Sequence, residues 1–535
     1  TNVHLYSKLD GLEPNNSIVY IYILAVVALL ILLVAGVNYT NLSTAQSAGR
    51  SAEIGMRKVM GARKWQVFNQ FICESFVLTL FAVVLALGIA VLVLPYFNQL
   101  SGKDLETGIL FSPFTLGGLL VLAVLVTFMA GAYPALVLSN SKIIHVLKSG
   151  FRFTGSGGLR KSLIVLQFVI SLFLIISTTI ILQQLSYIKN KELGYNKEQV
   201  VVLPLDQKVL EKYEEFKQAI AANPGVLSVG GAYESPTDIG WGDGLTSESD
   251  GKKISINALP ADESIVKTLQ LQIIAGTDYT WTDVQQFDTS DEGKNIRYQF
   301  MLNESAVKAL GWTPQEAVGK KVSKGREGVV KAVVKDFHFR SFHEEIKPLA
   351  IFLDRRMVGS LFVKVGDNNL QNTLGALEKT WKQRVPHRPF EYSFLDEEYN
   401  SLYKTEQRTA SVFTTFSTLA ILLACLGLFA LTAFVMVQRT KEIGIRKVFG
   451  ATVTDILTMV SKDFLKLILI SMVIAIPIAL YAINLWLKDF AYRVSIQWWI
   501  FPLAGLIAVL IAFITISYQA IKAAVANPVK SLRTE

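Results

Sequence analysis

The sequence has little charge. Only 18% of its 535 residues are Asp, Glu, Lys or Arg, against about 25% in an ordinary soluble domain. With 51% hydrophobic residues, it cannot be a disordered or fibrous chain, and one soluble enzyme domain is a poor fit. Cysteine is scarcer still. Cys73 and Cys425 lie in or beside apolar stretches far apart in the pattern, so they are expected to be small buried residues without a disulfide or a metal site. The apolar stretches also lack ionisable groups in their cores, beyond Glu74 near one end. Proton-coupled pumps and ion pathways put such groups at mid-membrane, so a secondary transporter or channel is disfavoured.

What is present is long, charge-free runs. Seven stretches contain no Asp, Glu, Lys or Arg: 18–49, 75–102, 107–141, 162–188, 409–438, 467–487 and 494–521. A helix needs about 20 mostly apolar residues to cross the hydrocarbon core. The expected fold class is therefore a polytopic α-helical membrane protein with seven spans and one extracytoplasmic α+β domain, the charged segment 189–408.

Charge asymmetry sets the expected orientation. The segments 39–67, 139–161, 439–451 and 522–535 are rich in Lys and Arg and nearly free of acid. Short basic loops stay cytoplasmic, so these four are placed inside. The loops at 95–113 and 488–493, the segment 189–408 and the N-terminus are placed outside. Basic residues that flank spans at regular intervals do not indicate nucleic acid.

The chain repeats itself. Residues 50–62 read RSAEIGMRKVMGA and residues 439–451 read RTKEIGIRKVFGA, with nine of thirteen positions identical at an offset of 389. A weaker echo pairs Ala132-Tyr133-Pro134-Ala135 with Ser517-Tyr518-Gln519-Ala520, and each then runs on to Lys148-Ser149 or Lys530-Ser531. Two copies of one membrane module are expected. The first spans 18–161 with a short helix at 50–62. The second spans 409–535 with a short helix at 439–451, preceded by the span 162–188. Residues 1–17 read as the end of a truncated first outer domain, and a longer chain with eight spans and two outer domains is expected.

Each motif is a compact physical object. Glu53 and Arg57, like Glu442 and Arg446, are four apart with the acid first, the favourable order on a helix. Met56, Val59 and Met60, like Ile445, Val448 and Phe449, make a narrow apolar stripe opposite a basic face. Gly61 and Gly450 are placed to cap the helices. An interfacial anchor needs only amphipathicity, whereas here Glu, Gly, Arg, Lys and Gly recur in register. A specific partner surface is the expected role.

Those residues resemble the FtsX-like permease family, the MacB-type membrane subunits of ABC transporters. The carriers are Glu53, Gly55, Arg57, Lys58, Gly61 and Ala62, and Glu442, Gly444, Arg446, Lys447, Gly450 and Ala451. In that family this short helix contacts the ATP-binding subunit. The ending Ala526-Asn527-Pro528-Val529-Lys530-Ser531-Leu532-Arg533 also resembles the family's. Leu302-Asn303-Glu304-Ser305-Ala306 with Gly319-Lys320, and Val333-Val334-Lys335-Asp336-Phe337-His338-Phe339 with Pro348, are similar to its MacB-like periplasmic core domain. The resemblance implies two fused four-span units, and the first is expected to be incomplete.

The resemblance implies a permease subunit in the bacterial inner (cytoplasmic) membrane. ATP would be bound by separate ABC ATP-binding subunits, with no cofactor in this chain. A periplasmic adaptor or other envelope protein is the further partner class. The implied function is export or extraction of amphiphilic substrates such as macrolides, antimicrobial peptides or lipoproteins. The alternative is mechanotransmission, regulating a periplasmic cell-wall hydrolase or a sensor kinase. No enzymatic activity is expected. Gly155-Ser-Gly-Gly-Leu-Arg-Lys161-Ser162 nearly spells a phosphate loop, but Arg160 stands where the second glycine belongs and no strand precedes it. A flexible basic linker is expected there.

Within 189–408, Val200–Leu203 and Val329–Val334 read as strands, and Val209–Ala222 and Leu370–Arg384 as amphipathic helices. Residues 240–251 and 288–293 read as loops. Asp336, His338 and His343 offer a carboxylate and two imidazoles, but their spacing matches no metal or catalytic motif, and a strand-to-turn segment with polar caps is expected. Trp281, Trp312 and Trp381 are expected in the core.

Overall fold

The computed structural model describes residues 18–101, 104–140, 157–288, 297–366 and 370–525. Expectations for 1–17, 289–293 and 526–533 lie outside them. The chain forms two compact units. One comprises 1–184, 406–486 and 495–535; the other comprises 185–405 and 487–494.

The first unit is helical: α1 (Ile18–Gly49), α2 (Ser51–Val59), α3 (Lys64–Ser101), α4 (Pro113–Asn140), α5 (Gly157–Asn190), α6 (Lys404–Gln438), α7 (Thr440–Val448), α8 (Val453–Leu487) and α9 (Ile500–Val525). Among the described residues, six helices are long and apolar enough to cross a membrane: α1, α3, α5, α6, α8 and α9. The seventh expected span, 107–141, falls on α4, whose apolar stretch Pro113–Met129 is shorter, so six of the seven expected spans are found among the described residues. Gly157–Ser162 opens α5, so that part of the phosphate-loop look-alike is helix and not linker. Continuous helix wins because a spanning segment must satisfy its backbone internally.

Small and polar residues set the helix contacts, as expected where burial of apolar surface gives no advantage. Asn38 Nδ2 donates to the Leu423 carbonyl at 2.5 Å, joining α1 to α6. Thr178 and Ser417 share a hydrogen bond of 2.7 Å between α5 and α6. Ser471 Oγ donates to the Val165 carbonyl at 3.1 Å, tying α8 to α5. Cys73 is exposed and Cys425 half-buried, which corrects the buried reading. In a helix solvated by lipid, outward faces are as apolar as inward ones, so composition does not report burial there.

The second unit carries strands β1 (Val200–Pro204), β2 (Val226–Ala232), β3 (Gly242–Ser247), β4 (Lys253–Ala261), β5 (Ile273–Gly276), β6 (Tyr298–Asn303), β7 (Lys321–Ser323), β8 (Glu327–Val334), β9 (Leu349–Leu353), β10 (Ser360–Val365) and β11 (Ser393–Phe394). They join in the order β11-β1-β10-β2-β4-β3-β7-β8-β6-β9, and β4 also pairs with β9. That last pairing closes β4, β3, β7, β8, β6 and β9 into a ring, which removes their free edges. Phe300, Leu302, Val330, Ala350 and Phe352 are among its core residues. β5 pairs with β8 of the ring, and β11, β1, β10 and β2 form a sheet whose core includes Val201, Leu361, Val363, Phe216, Leu377 and Trp381, the last three from helices Tyr213–Ala221 and Leu370–Arg384.

The unit is thus α+β, with local departures from expectation. The helix expected over 209–222 is two helices, Gln207–Leu210 and Tyr213–Ala221, split at Glu211-Lys212. The loop expected at 240–251 contains β3, which glycine content concealed. Trp381 is fully buried. Trp312 packs beside the ring core. Trp281 is 54% exposed, under the Arg355 guanidinium at 5.7 Å, so it is not a core residue.

Candidate functional site

The two repeated motifs fold alike. In α2, Arg57 pairs with Glu53 at 2.8 Å; in α7, Arg446 pairs with Glu442 at 2.8 Å. Gly61 and Gly450 adopt φ of +98° and +89°, the left-handed region that favours glycine. Ala62 N–H donates to the Arg57 carbonyl and Gly61 N–H to the Lys58 carbonyl, at 3.0 and 3.1 Å. Ala451 and Gly450 repeat this with Arg446 and Lys447, both at 3.0 Å. Each helix therefore ends in a Schellman cap, and Gly-Ala recurs because the cap needs a residue without Cβ first.

The sequence reading missed a second shared device. Arg50 donates to Glu74 at 2.7 Å and lies 3.2 Å from Glu53. Arg439 reaches Asp463 at 3.5 Å. Glu74 and Asp463 are themselves 389 apart, so an arginine before each short helix is strapped to an acid on the following long helix in both copies. The signal was available in the same offset, acid for acid.

Burial divides each motif into an inner and an outer face. Ile54, Gly55, Ile443 and Gly444 are buried, and Ile54 packs on Val67, Phe71 and Ala135. Met56, Val59 and Met60 are 58%, 54% and 83% exposed. Ile445, Val448 and Phe449 are 49%, 66% and 86% exposed. The apolar stripe and the Glu–Arg pair thus face outward together. Apolar tips of that size beside paired charges can seat in a pocket of another protein. Lys58 and Lys447 are half-buried, and burial, with Lys64 nearby, lowers the Lys58 pKa.

In the second unit, the family-like segments interlock. Asn303 caps helix Glu304–Leu310 by accepting from Ala306 N–H at 3.0 Å. The same oxygen accepts from Leu349 N–H at 2.8 Å, and Nδ2 donates to the Lys347 carbonyl at 2.9 Å. Asp336 accepts from Ser305 N–H at 3.0 Å and from Ser305 Oγ–H at 2.7 Å. Glu304 in turn accepts from Asp336 N–H at 2.9 Å. These side chains are spent on holding the turn together.

The turn that follows grips residues 487–494. Ala491 and Tyr492 N–H donate to the Phe342 carbonyl at 3.0 and 3.2 Å. The His338 ring lies 4.7 Å from Tyr492 and 4.2 Å from Phe342, and His343 stacks on Phe490 at 4.2 Å. Burial, then Lys191, lowers the His338 pKa to about 4. Burial also lowers that of His343, against Asp489 and Glu344. Both imidazoles serve as packing surfaces for one loop and do not converge on a common point with Asp336.

Long apolar helices with paired ends define a polytopic membrane protein built from a duplicated module. Residues 25–143 and 414–528 both match the family model described as FtsX-like permease C-terminal, so each membrane module is an FtsX-like permease domain. No curated protein matches the chain. Solved structures similar to it include the extracellular domain of the noncanonic ABC-type transporter YknZ from Gram-positive bacteria, at 12% identity and a TM-score of 0.25, covering 36% of this chain and 96% of that one. A domain described as that of a permease protein from Porphyromonas gingivalis is similar at 12% identity and a TM-score of 0.25, covering 38% and 97%.

Proposed function

We propose that this chain is the membrane permease subunit of an ABC transporter, with α2 and α7 as the two docking helices for separate ATP-binding subunits. The carrying observation is the double occurrence, at one fixed offset, of a capped helix that turns a Glu–Arg pair and an apolar stripe outward. The membrane anchor alternative needs the stripe but gives no reason for the strapped arginine or the ion pair. In this reading seven helices span the bacterial inner membrane, α4 among them, and the β-rich unit is periplasmic. ATP and its hydrolysis belong to the partner, and this chain needs no cofactor.

Movement at the docking helices is passed along rigid spans. The loop 487–494 joins α8 to α9 in sequence and is held within the second unit by Phe342, His338 and His343, so a shift of those spans pulls on that turn. A mechanical output of this kind suits export or extraction of amphiphilic substrates from the periplasmic side, with an adaptor or other envelope protein as a further partner.

The test is charge reversal at both helices, Glu53→Lys with Glu442→Lys, read by co-purification of the ATP-binding subunit and by stimulated hydrolysis. Both are expected to fall about tenfold or more, the scale of losing one good interfacial charge pair. Wild-type association and turnover in the double variant would remove the docking role.

A further inference from the structure

Helices α8 and α9 do not meet as α3 and α4 do. At the α3–α4 contact two small residues face each other: a Cβ on Gly131 would lie 2.8 Å from Ser75 Oγ. The repeat puts Phe464 at the Ser75 position (offset 389) and Ile516 at the Gly131 position (offset 385). Both of these larger residues line a groove of about 420 Å³ between α8 and α9. Its wall is mostly apolar, with Leu465, Ile468 and Phe513, and it also carries Ser461 and Lys462.

Three observations specify an occupant. Lys462 is exposed and has no acidic partner among the described residues: Asp463 is held by Arg439, and Asp455 accepts from Thr452 N–H and Oγ–H at 2.9 and 2.7 Å. Ser461 Oγ is buried with no hydrogen-bond partner among the described residues. Hydroxyls elsewhere on α8 bond back one turn, Thr458 to Thr454 and Ser471 to Leu467, both at 2.8 Å. Finally, Lys462 precedes the charge-free run 467–487, the depth at which a spanning helix passes from headgroups to hydrocarbon. A cation and an unused hydroxyl at headgroup depth, beside an apolar slot, complement a phosphodiester attached to an acyl chain.

We infer that the α8–α9 groove binds one anionic phospholipid, its phosphate at Lys462 and Ser461 and an acyl chain between the helices. The first module has no such site: Cys73 and Ile72 occupy the corresponding positions, and Gly131 lets α4 close on α3. The inference rests on the membrane placement of α8 and α9 in the proposed function, but not on ATPase docking, and its readout uses no ATP-binding subunit.

The experiment titrates the full chain in detergent with phosphatidylglycerol and with phosphatidylcholine of identical acyl chains, counting bound lipid by native mass spectrometry. Phosphatidylglycerol is expected to bind the first site about fivefold more tightly, the worth of one Lys beside an anionic headgroup. Lys462→Gln should abolish that preference, and Ala512→Trp, which fills the slot, should remove the tight site. A phosphatidylglycerol carrying a diazirine on its acyl chain should label residues 457–468 and 509–516. Equal affinity for the two lipids, a preference that survives Lys462→Gln, or labelling elsewhere would overturn the assignment. Displacement of the lipid by a neutral amphiphile at equal concentration would also overturn it, assigning the slot to cargo.

Discussion

The two membrane modules share their handles and differ in how their later spans pack. Their short helices agree down to the cap hydrogen bonds. Their third and fourth helices do not: Gly131 against Ser75 closes α4 on α3, whereas Ile516 and Phe464 line a groove between α9 and α8. Their connecting loops differ as well. In the first module the loop folds on its own helix, with Asn98 Nδ2 donating to the Leu105 carbonyl at 3.0 Å. In the second, 487–494 is claimed by the β-rich unit. On the proposed reading, duplication preserved the docking surface and released the surfaces that take no part in docking. A face that must fit the same protein twice is constrained twice; a lipid-facing seam is constrained only by packing.

The largest expected effect lies where the copies meet. Asn38 and Gly427 are equivalent positions, 389 apart, and they face each other: a Cβ on Gly427 would sit 1.9 Å from Asn38 Oδ1. Gly427→Leu is expected to destabilise the helical unit by about 3 kcal/mol, the upper range for overpacking, read as a lowered Tm of the full chain in detergent. Gly88→Leu, with open space around it, should leave Tm unchanged. Equal Tm values would show that the modules do not rely on this crossing.

Next is conversion of the first module into the second. Gly131→Ile should cost about 2 kcal/mol by the same overpacking and part α4 from α3. A disulfide probe with Cys at 71 and 135, which share one buried cluster, should then cross-link in the otherwise unchanged chain and lose most of its yield in the variant. Retained yield would mean that side-chain size does not decide the difference between the seams.

Much of this architecture was legible in the sequence because bilayers and repeats leave strong marks. Charge-free runs reported the long helices, and the offset of 389 reported the duplication and the two cap glycines. Three things were not legible. The ring closure rests on a parallel pairing of β4 with β9, far apart in sequence, which no local pattern encodes. The attachment of 487–494 depends on aromatic packing of Phe490 and Tyr492, ordinary residues for a membrane-flanking loop. The exposure of Cys73 could not be read because both faces of a lipid-facing helix are apolar. Asp336 and the two histidines drew attention by type, and only their partners show that they hold a turn.

A smaller contrast concerns pH. His338 has its folded pKa lowered to about 4, below the ordinary 6.5, so the packed ring is neutral. Its contribution is present in full above pH 6.5 and is lost as pH falls through that window toward 4, because the opened state binds the proton first. Lys191, which also lowers the pKa, acts in the same direction. Hydrogen exchange at Ala491 and Tyr492 is expected to quicken severalfold between pH 6.5 and pH 4.5, after correction for intrinsic rates, with Leu105 in the first-module loop unaffected. His338→Phe should reduce the pH dependence while keeping the packing, leaving the part that belongs to His343 stacked on Phe490. Identical pH profiles at the two loops would show that the imidazole does not control the second.

The least effect is expected at the arginine straps, and it tests how equal the handles are. Arg50 touches both Glu74 and Glu53, at 2.7 and 3.2 Å, while among the described residues Arg439 reaches only Asp463, at 3.5 Å. All these side chains keep roughly a third or more of their surface in solvent, where a single ion pair contributes about 0–1 kcal/mol. Arg50→Gln should therefore lower stability by about 1 kcal/mol and Arg439→Gln by less than about 0.5 kcal/mol, with both differences shrinking at 1 M salt. Longer Glu in place of Asp463 should narrow the gap by letting the carboxylate reach. If Arg439→Gln proved the more damaging, the second handle would depend on its arginine for something other than the strap, and the equivalence of α2 and α7 would have to be abandoned.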